Sequence, residues 1–362
     1  MTAGITEYWV AFSKIPGIGA SRARKLEERF GTLEAAWQAD AFALKAAGLD
    51  HRVIGAFVRE RRKISPETEM EKLDSARVQA LALPDSSYPS RLREIQNAPM
   101  VLYVRGQLTT EDEWAVGVVG TRRASPYGRQ VTADLAEGLA RNQVTVVSGL
   151  ARGIDAVAHR AALDVGGRTI AVLGSGVDQL YPWENRALAE RMLEHGAVVS
   201  EYPPGTKPDA RNFPPRNRII TGLSLGVVVV EADLKSGAMI SAGFAAEQGR
   251  EVMAVPGPVT SPASTGVHFL LKQGAKLVTN TEDVLEGLDL RRVAVHQEAR
   301  RVVPEDPTEA ILHACLTREP VHVDELARQT GLPISLVSST LTLMELKGMI
   351  RSVGSMQYVL SH

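Results

Sequence analysis

The sequence predicts an α/β protein built on an extended Rossmann-like doubly wound sheet, with a small helical domain before it and a winged-helix domain after it. Three observations carry this. From Ala115 onward, short continuous apolar runs alternate with helical stretches, as strands buried on both faces of a parallel sheet do. The first two runs stop at small residues and lead into arginine-bearing loops, Gly120-Thr121-Arg122-Arg123 and Ser148-Gly149-Leu150-Ala151-Arg152. Residues 307–362 read as three helices and a hairpin, the layout of a winged helix.

The chain has 362 residues and a net charge of −1, enough length for two or three domains. Binding of nucleic acid by bulk charge is excluded, so any polyanion surface must be a cluster assembled by folding. One cysteine, Cys315, rules out an intrachain disulfide and points to a reducing, cytoplasmic setting. No signal pattern or membrane-length apolar run is expected. The segment 291–304 is basic through Arg291, Arg292, Arg300 and Arg301, whereas the tail from Glu305 is net acidic.

Residues 1–69 are expected to form small helices. The stretch Ile15-Pro16-Gly17-Ile18-Gly19 before an amphipathic helix has the form of a helix-hairpin-helix, whose turn presents amides to a DNA phosphate. A hairpin in which the glycines only make a tight turn is the equal alternative. The central domain, 70–290, opens with a helix, the apolar run Val78 to Leu83 and the strand-like run Val101 to Gly106. Its strands are then expected at Ala115–Val119, Val144–Ser148, Thr169–Leu173, Ala197–Ser200, Val227–Val230 and Glu251–Val255. Helices fall between them at Gly128–Arg141, Asp155–Asp164, Asn185–His195 and Ala238–Gln248. A short helix at Gly266–Gly274 and an edge strand at Lys276–Val278 close the domain. A linker at 291–306 leads to the winged helix, whose third helix, Ile334–Lys347, carries serines and threonines and almost no positive charge. That composition argues against strong duplex binding by this helix.

In an open α/β sheet, ligands sit outside the carboxyl ends of the strands. Gly120, Thr121, Arg122 and Arg123 there read as a phosphate cradle with a guanidinium clamp, against solvated arginines as the plain alternative. Gly149 and Arg152 belong to the second loop; Asp155 is a candidate helix cap and His159 a brace for the loop. Gly174-Ser175-Gly176 lacks the third glycine of a dinucleotide fingerprint, and there is no Walker loop. Phe213, Arg216, Asn217 and Arg218, in Asn212-Phe213-Pro214-Pro215-Arg216-Asn217-Arg218, combine charge with an aromatic ring, as single-stranded nucleic acid requires. An arginine–carboxylate network with Glu201 or Glu231 is the competing role. Ser236 and Gly237 stand at a helix N-terminus, another anion site. Glu231 and Asp233 lack partners for catalysis, and neither metal nor cofactor is expected.

Five stretches in order resemble one family, DNA-processing protein A, also called DprA or Smf: Val-Val-Gly-Thr-Arg, Ser-Gly-Leu-Ala-Arg-Gly-Ile-Asp, Phe-Pro-Pro-Arg-Asn-Arg-Ile-Ile, Ser-Gly-Ala-Met-Ile-Ser-Ala and Val-Pro-Gly. The match covers roughly Leu83 to Val278. The resemblance implies a cytosolic, non-enzymatic, dimeric protein that binds single-stranded DNA. It also implies that such a protein helps load RecA recombinase during natural transformation, in competition with single-strand binding protein. A SAM-like N-terminal module and a variable winged helix come with it. Carried onto this chain, the phosphate pocket is lined by Gly120, Thr121, Arg122, Gly149, Arg152, Arg216, Asn217, Arg218, Ser236 and Gly237, with Phe213 for base stacking. Trp183 stands where some members carry lysine, and either stacks on a base or packs. The dimer surface falls around Gly266 to Val278, with His268, Phe269 and Leu270. Two other functions compete: a nucleoside monophosphate phosphoribohydrolase, although Ser236-Gly237-Ala238 lacks that group's double glycine and nearby glutamate, and a protein-interaction scaffold.

Overall fold

The computed structural model describes residues 3–290, 306–316, 320–346, 350–354 and 356–360. The chain divides into two compact units, Met1–Leu288 and Asp289–His362.

The first unit opens with six helices: α1 (Ala3–Ser13), α2 (Ala20–Phe30), α3 (Leu33–Gln38), α4 (Ala41–Ala46), α5 (His51–Arg61) and α6 (Pro66–Ser75). Their starts are set by local chemistry. The side chains of Thr32, Asp40, Asp50 and Ser65 accept from amides of the first turn, and Pro66 supplies a preset φ. Phe12, Trp37 and Phe57 pack together, with Phe12 and Phe57 stacked at 5.4 Å and Trp37 edge-on to both. These helices share one hydrophobic core with the sheet, and the boundary expected at 69/70 falls inside α6. The helical segment is therefore a layer of the larger unit. Ser13 bonds to Tyr103 at 2.9 Å, and Thr6 donates to Asp85.

The sheet has nine strands: β1 (Gln79–Ala82), β2 (Val101–Gly106), β3 (Ala115–Val119), β4 (Thr145–Ser148), β5 (Thr169–Val172), β6 (Gly196–Ser200), β7 (Gly226–Val229), β8 (Glu251–Ala254) and β9 (Lys276–Leu277). Their order is β1-β2-β6-β5-β4-β3-β7-β8-β9. The strands from β3 to β9 are parallel, and β3 to β7 are wholly buried. β2 joins antiparallel to β6, and β1 to β2. Sequence periodicity found these two strands but not their place in the sheet. The crossover helices are α8 (Pro126–Arg141), α9 (Ile154–Asp164), α10 (Arg186–Met192), α11 (Phe213–Leu223), α12 (Gly237–Glu247) and α13 (Thr265–Lys272). The short α7 (Ser90–Arg93) precedes β2, and α14 (Thr281–Gly287) follows β9. α11 is not among the helices expected from the sequence. Two prolines lie in its first turn, where a missing N–H costs nothing. From β3 the chain winds one way to β6 and the other way through β7 to β9. The topological switch point therefore lies between β3 and β7, where this architecture opens a crevice.

The second unit holds α15 (Pro307–Cys315), α16 (Val323–Thr330) and α17 (Ile334–Leu346), with a three-stranded sheet of β10 (Val321–His322), β11 (Ile350–Gly354) and β12 (Gln357–Leu360). Leu312, Leu326, Val337, Leu341 and Met344 fill its separate core. This is the expected winged helix. The linker expected at 291–306 lies, but for its last residue, outside the described residues, as do Lys347, Gly348 and Met349. No helix among the described residues is long and apolar enough to cross a membrane.

Candidate functional site

The switch point holds a cleft of about 240 Å³, lined by Gly120, Thr121, Arg122, Phe213, Arg216, Asn217, Ser236 and Gly237 among others. Four segments build it, and each is pinned by hydrogen bonds to its neighbours.

The loop after β3 is held from both sides. Thr121 donates its amide to the Glu231 carbonyl at 2.7 Å, and its own carbonyl accepts from Ile154. A Cβ at Gly120 would stand 2.5 Å from the Ile154 side chain, so only glycine lets the segments close. Ser125 caps α8 and donates to the Glu231 carboxylate at 2.5 Å, while its amide reaches the other carboxylate oxygen. Glu231 is thus an internal acceptor for the β3–α8 loop and pairs with no arginine among the described residues. Asp233 accepts from the Lys235 amide. Neither carboxylate of this segment is disposed as a free acid or base.

The loop after β4 is tied by Asp155 and His159. Asp155 accepts from the amides of Gly149 and Ala151, while Gly153 occupies the helix-cap position expected for the aspartate. Thr169 donates its hydroxyl to the Val146 carbonyl, so it accepts from His159 Nδ1–H, and His159 Nε2 accepts from the Leu150 amide. The network defines one neutral tautomer. Burial pushes the imidazole pKa down to about 3, and the Arg216 charge adds to this. Leu150, at φ 56°, and Gly153, at φ 77°, make the sharp turn.

Arg216 is the most unusual residue of the site. It is 4% exposed. Nη1 donates to the Gly149 and Val172 carbonyls and Nε to Asn217 Oδ1 at 3.2 Å. Nη2 has no hydrogen bond among the described residues, and no carboxylate contacts the guanidinium. Burial lowers its pKa to about 10, against the opposing pull of Asp155. Burial correspondingly raises the Asp155 carboxyl, with Arg216 opposing. A buried cation without a contact anion is costly, and this one lines the cleft. A Cβ at Gly149 would stand 2.6 Å from Nη2, so glycine makes room for this group.

Two guanidiniums approach the Phe213 ring, Arg122 at 5.9 Å and Arg216 at 6.0 Å from its centroid. Arg122 is exposed and makes no ion pair among the described residues. At the fourth wall, Asn217 donates to the Gly237 carbonyl at 3.0 Å. Ser236 stands at the N-cap of α12 without capping it, and its buried Oγ has no partner. The amides of Gly237 and Ala238 and this hydroxyl are unspent donors at the positive end of a helix dipole, while the Met239 amide bonds the Ser236 carbonyl. The cleft can therefore take an anion from Arg122, Arg216 and the α12 terminus, and a flat ring against Phe213.

The remaining predicted residues fall elsewhere. Gly149 and Arg152 line an adjoining recess with Tyr181, whose ring lies 5.6 Å from Phe213. Arg152 is paired with Glu184, Nη2 to Oε2 at 2.7 Å. Arg123 is exposed and lines neither cavity. Arg218 leaves the cleft altogether. It makes a two-pronged pair with Glu201, at 2.6 and 2.7 Å, and donates Nε to the Asn97 carbonyl. The carboxylate network foreseen for this segment thus forms with Glu201 and not with Glu231. Tyr181 was missed; an aromatic beside Pro182 was its only signal. Trp183 is 78% exposed, so it is not a packing residue.

A doubly wound sheet with a cleft at its switch point, carried on the same chain as a winged helix, defines a class of Rossmann-like proteins with a winged-helix domain. Residues 79–289 match the DNA recombination-mediator protein A family, and residues 296–355 match the DprA winged helix domain. Protein Smf of Escherichia coli K12 is 42% identical, the alignment covering 87% of this chain and 86% of that one. Protein Smf of Synechocystis is 34% identical over 97% and 98% of the two chains. The X-ray structure of DNA processing protein A from Streptococcus pneumoniae superposes with a TM-score of 0.67 at 37% identity, covering 78% of this chain and 98% of that one. DNA processing protein A from Helicobacter pylori, whose structure concerns its single-stranded DNA binding mode, gives 0.52 at 31% identity, over 58% and 95% of the two chains. The chain belongs to the DNA recombination-mediator protein A family, whose members are also called DprA and Smf.

Proposed function

We propose that the cleft binds the backbone and one base of single-stranded DNA, that no turnover follows, and that the bound strand is passed to RecA recombinase in the cytoplasm in competition with single-strand binding protein. The observation that carries this reading is Arg216: a buried guanidinium with a free Nη2, open to the cleft and lacking a carboxylate in contact. A phosphate there supplies the missing anion. Phe213, close to Arg122 and Arg216, supplies a stacking face that accepts any base. The single-stranded DNA binding mode of the Helicobacter pylori relative supports the same ligand. Gly120, Thr121, Asn217, Ser236 and Gly237 shape the cleft; Arg152 borders it, and Arg218 fixes α11 through Glu201. We assign dimer formation to the surface around Gly266–Val278, where Phe269 and Leu277 are exposed.

Two assays test this reading. Labelled single strands and matched duplex are titrated at two salt concentrations, with the wild type and Arg122→Ala. The expected result is single-strand preference, salt sensitivity and loss of affinity in the variant. RecA filament growth on a strand coated with single-strand binding protein is then followed with and without the protein. Faster nucleation supports hand-over; unchanged nucleation removes RecA loading while leaving the DNA site intact.

A further inference from the structure

A second cavity, of about 890 Å³, is lined by the Gly17–Lys25 segment, Arg93, Asn97, Glu201, Tyr202 and Arg218. It is linked to the cleft through one helix: Arg216 and Asn217 of α11 face the cleft, and Arg218 faces this groove. Glu201 and Tyr202 follow the carboxyl end of β6, so the groove opens on the same edge of the sheet.

Its charge is lopsided. Arg22, Arg24, Lys25, Arg93 and Arg218 line it against Glu28 and Glu201, in a chain whose net charge is −1. Arg22 pairs with Asp50 and Arg218 with Glu201, whereas Arg24 and Lys25 are exposed and make no ion pair among the described residues. Arg93 keeps its Nε buried without an acceptor. α2 enters the groove with Gly19 at its N-cap and no side-chain cap, leaving first-turn amides unspent. Arg22 donates to the Gly17 carbonyl and so braces the turn, in which Gly17 has φ +88°. Separated cations along a groove suit a chain of phosphates better than one small anion.

We infer that this groove is a second nucleic-acid subsite, which takes the sugar-phosphate backbone of the single strand leaving the cleft and gives the Pro-Gly-Ile-Gly turn a phosphate-binding role. The inference rests on the cleft reading above, and the test separates the two. Two labelled strands are used, one of about 6 nucleotides to fill the cleft and one of about 20 to pass beyond it. Binding is measured for the wild type, Arg24→Ala/Lys25→Ala and Ser21→Asp. The short strand is expected to bind all three equally. The long strand is expected to bind the double variant about tenfold more weakly, with a log–log salt slope shallower by about 1.4, the value for two phosphates on a single strand. Ser21→Asp places a carboxylate in the first turn of α2, which favours the helix and repels phosphate. It is therefore expected to weaken the long strand with no fall in thermal midpoint. Equal affinity and equal slope for the long strand in all three proteins would overturn the groove while leaving the cleft. Failure of the wild type to bind either strand would overturn the cleft reading and the groove with it. If a duplexed extension gains more affinity than a single-stranded one, and the variants lose that gain, the single-strand assignment is wrong.

Discussion

At the scale of single residues, the site depends on groups whose ordinary partners are absent or replaced. Arg216 meets carbonyls where a buried arginine usually meets a carboxylate, and Ser236 holds a hydroxyl unpartnered at a helix start. Phe213→Ala removes the ring that Arg122 and Arg216 approach. It is expected to cost about 1–3 kcal/mol of single-strand affinity, read by fluorescence anisotropy, with duplex affinity little changed. Gly128 tests the scaffold beneath the site. A Cβ there would stand 2.2 Å from the Glu231 carboxylate, so Gly128→Ala is expected to destabilise the protein by about 1–3 kcal/mol in denaturant titration. His159 gives a pH signature. Its folded pKa, near 3, lies below the ordinary value of 6.5, so the unfolded chain binds the extra proton between those limits. Stability is fully present above about pH 6.5 and falls as pH drops toward 3, by up to about 1.4 kcal/mol per pH unit from this group. In His159→Gln, stability followed across that window is expected to lose this part of the slope, even though the variant starts lower at neutral pH.

At the scale of elements, α11 joins the two sides of the site. Arg218→Ala strips Glu201 of its partner and frees the Asn97 carbonyl. Chemical denaturation is expected to show a loss of about 1–3 kcal/mol, with short-strand affinity close to wild type because Arg218 does not line the cleft. Much of the element list was legible in the sequence. The strands at Ala115–Val119 and Thr145–Ser148 announce themselves as apolar runs ended by small residues, and the helices between them follow from the alternation. α11 was not among the expected helices: its short stretch opens on two adjacent prolines, which are compatible with a first turn but do not announce a helix. The direction of Arg216 and Arg218 was equally illegible. Two residues apart on a helix, they point to different faces, whereas on a loop nothing separates them. The antiparallel join of β2 to β6 is a long-range pairing that no local pattern encodes.

At the scale of the whole molecule, charge is placed and not accumulated. A chain of net charge −1 sets Arg122 and Arg216 together in the cleft at the switch point. Association with single strands should therefore weaken with salt through a few phosphates only, about 0.7 in log–log slope for each. The boundary expected at 69/70 falls inside α6, because helical periodicity marks elements and not the core they share; Phe12 and Val101 belong to one cluster. The proposed dimer surface is open to a direct check. Phe269 is 47% exposed on α13, and Phe269→Glu is expected to shift sedimentation from dimer toward monomer while the fold is kept.

The position of the DNA itself is the most direct measurement. A short single strand carrying one photoreactive uracil is cross-linked to the full chain, and the modified peptides are mapped by mass spectrometry. Cross-links at Phe213 or Tyr181, lost when unlabelled strand competes, are the expected result. Cross-links confined to residues 306–360, with none on the segments around Gly120, Phe213 and Ser236, would contradict a binding site at the switch point of the sheet.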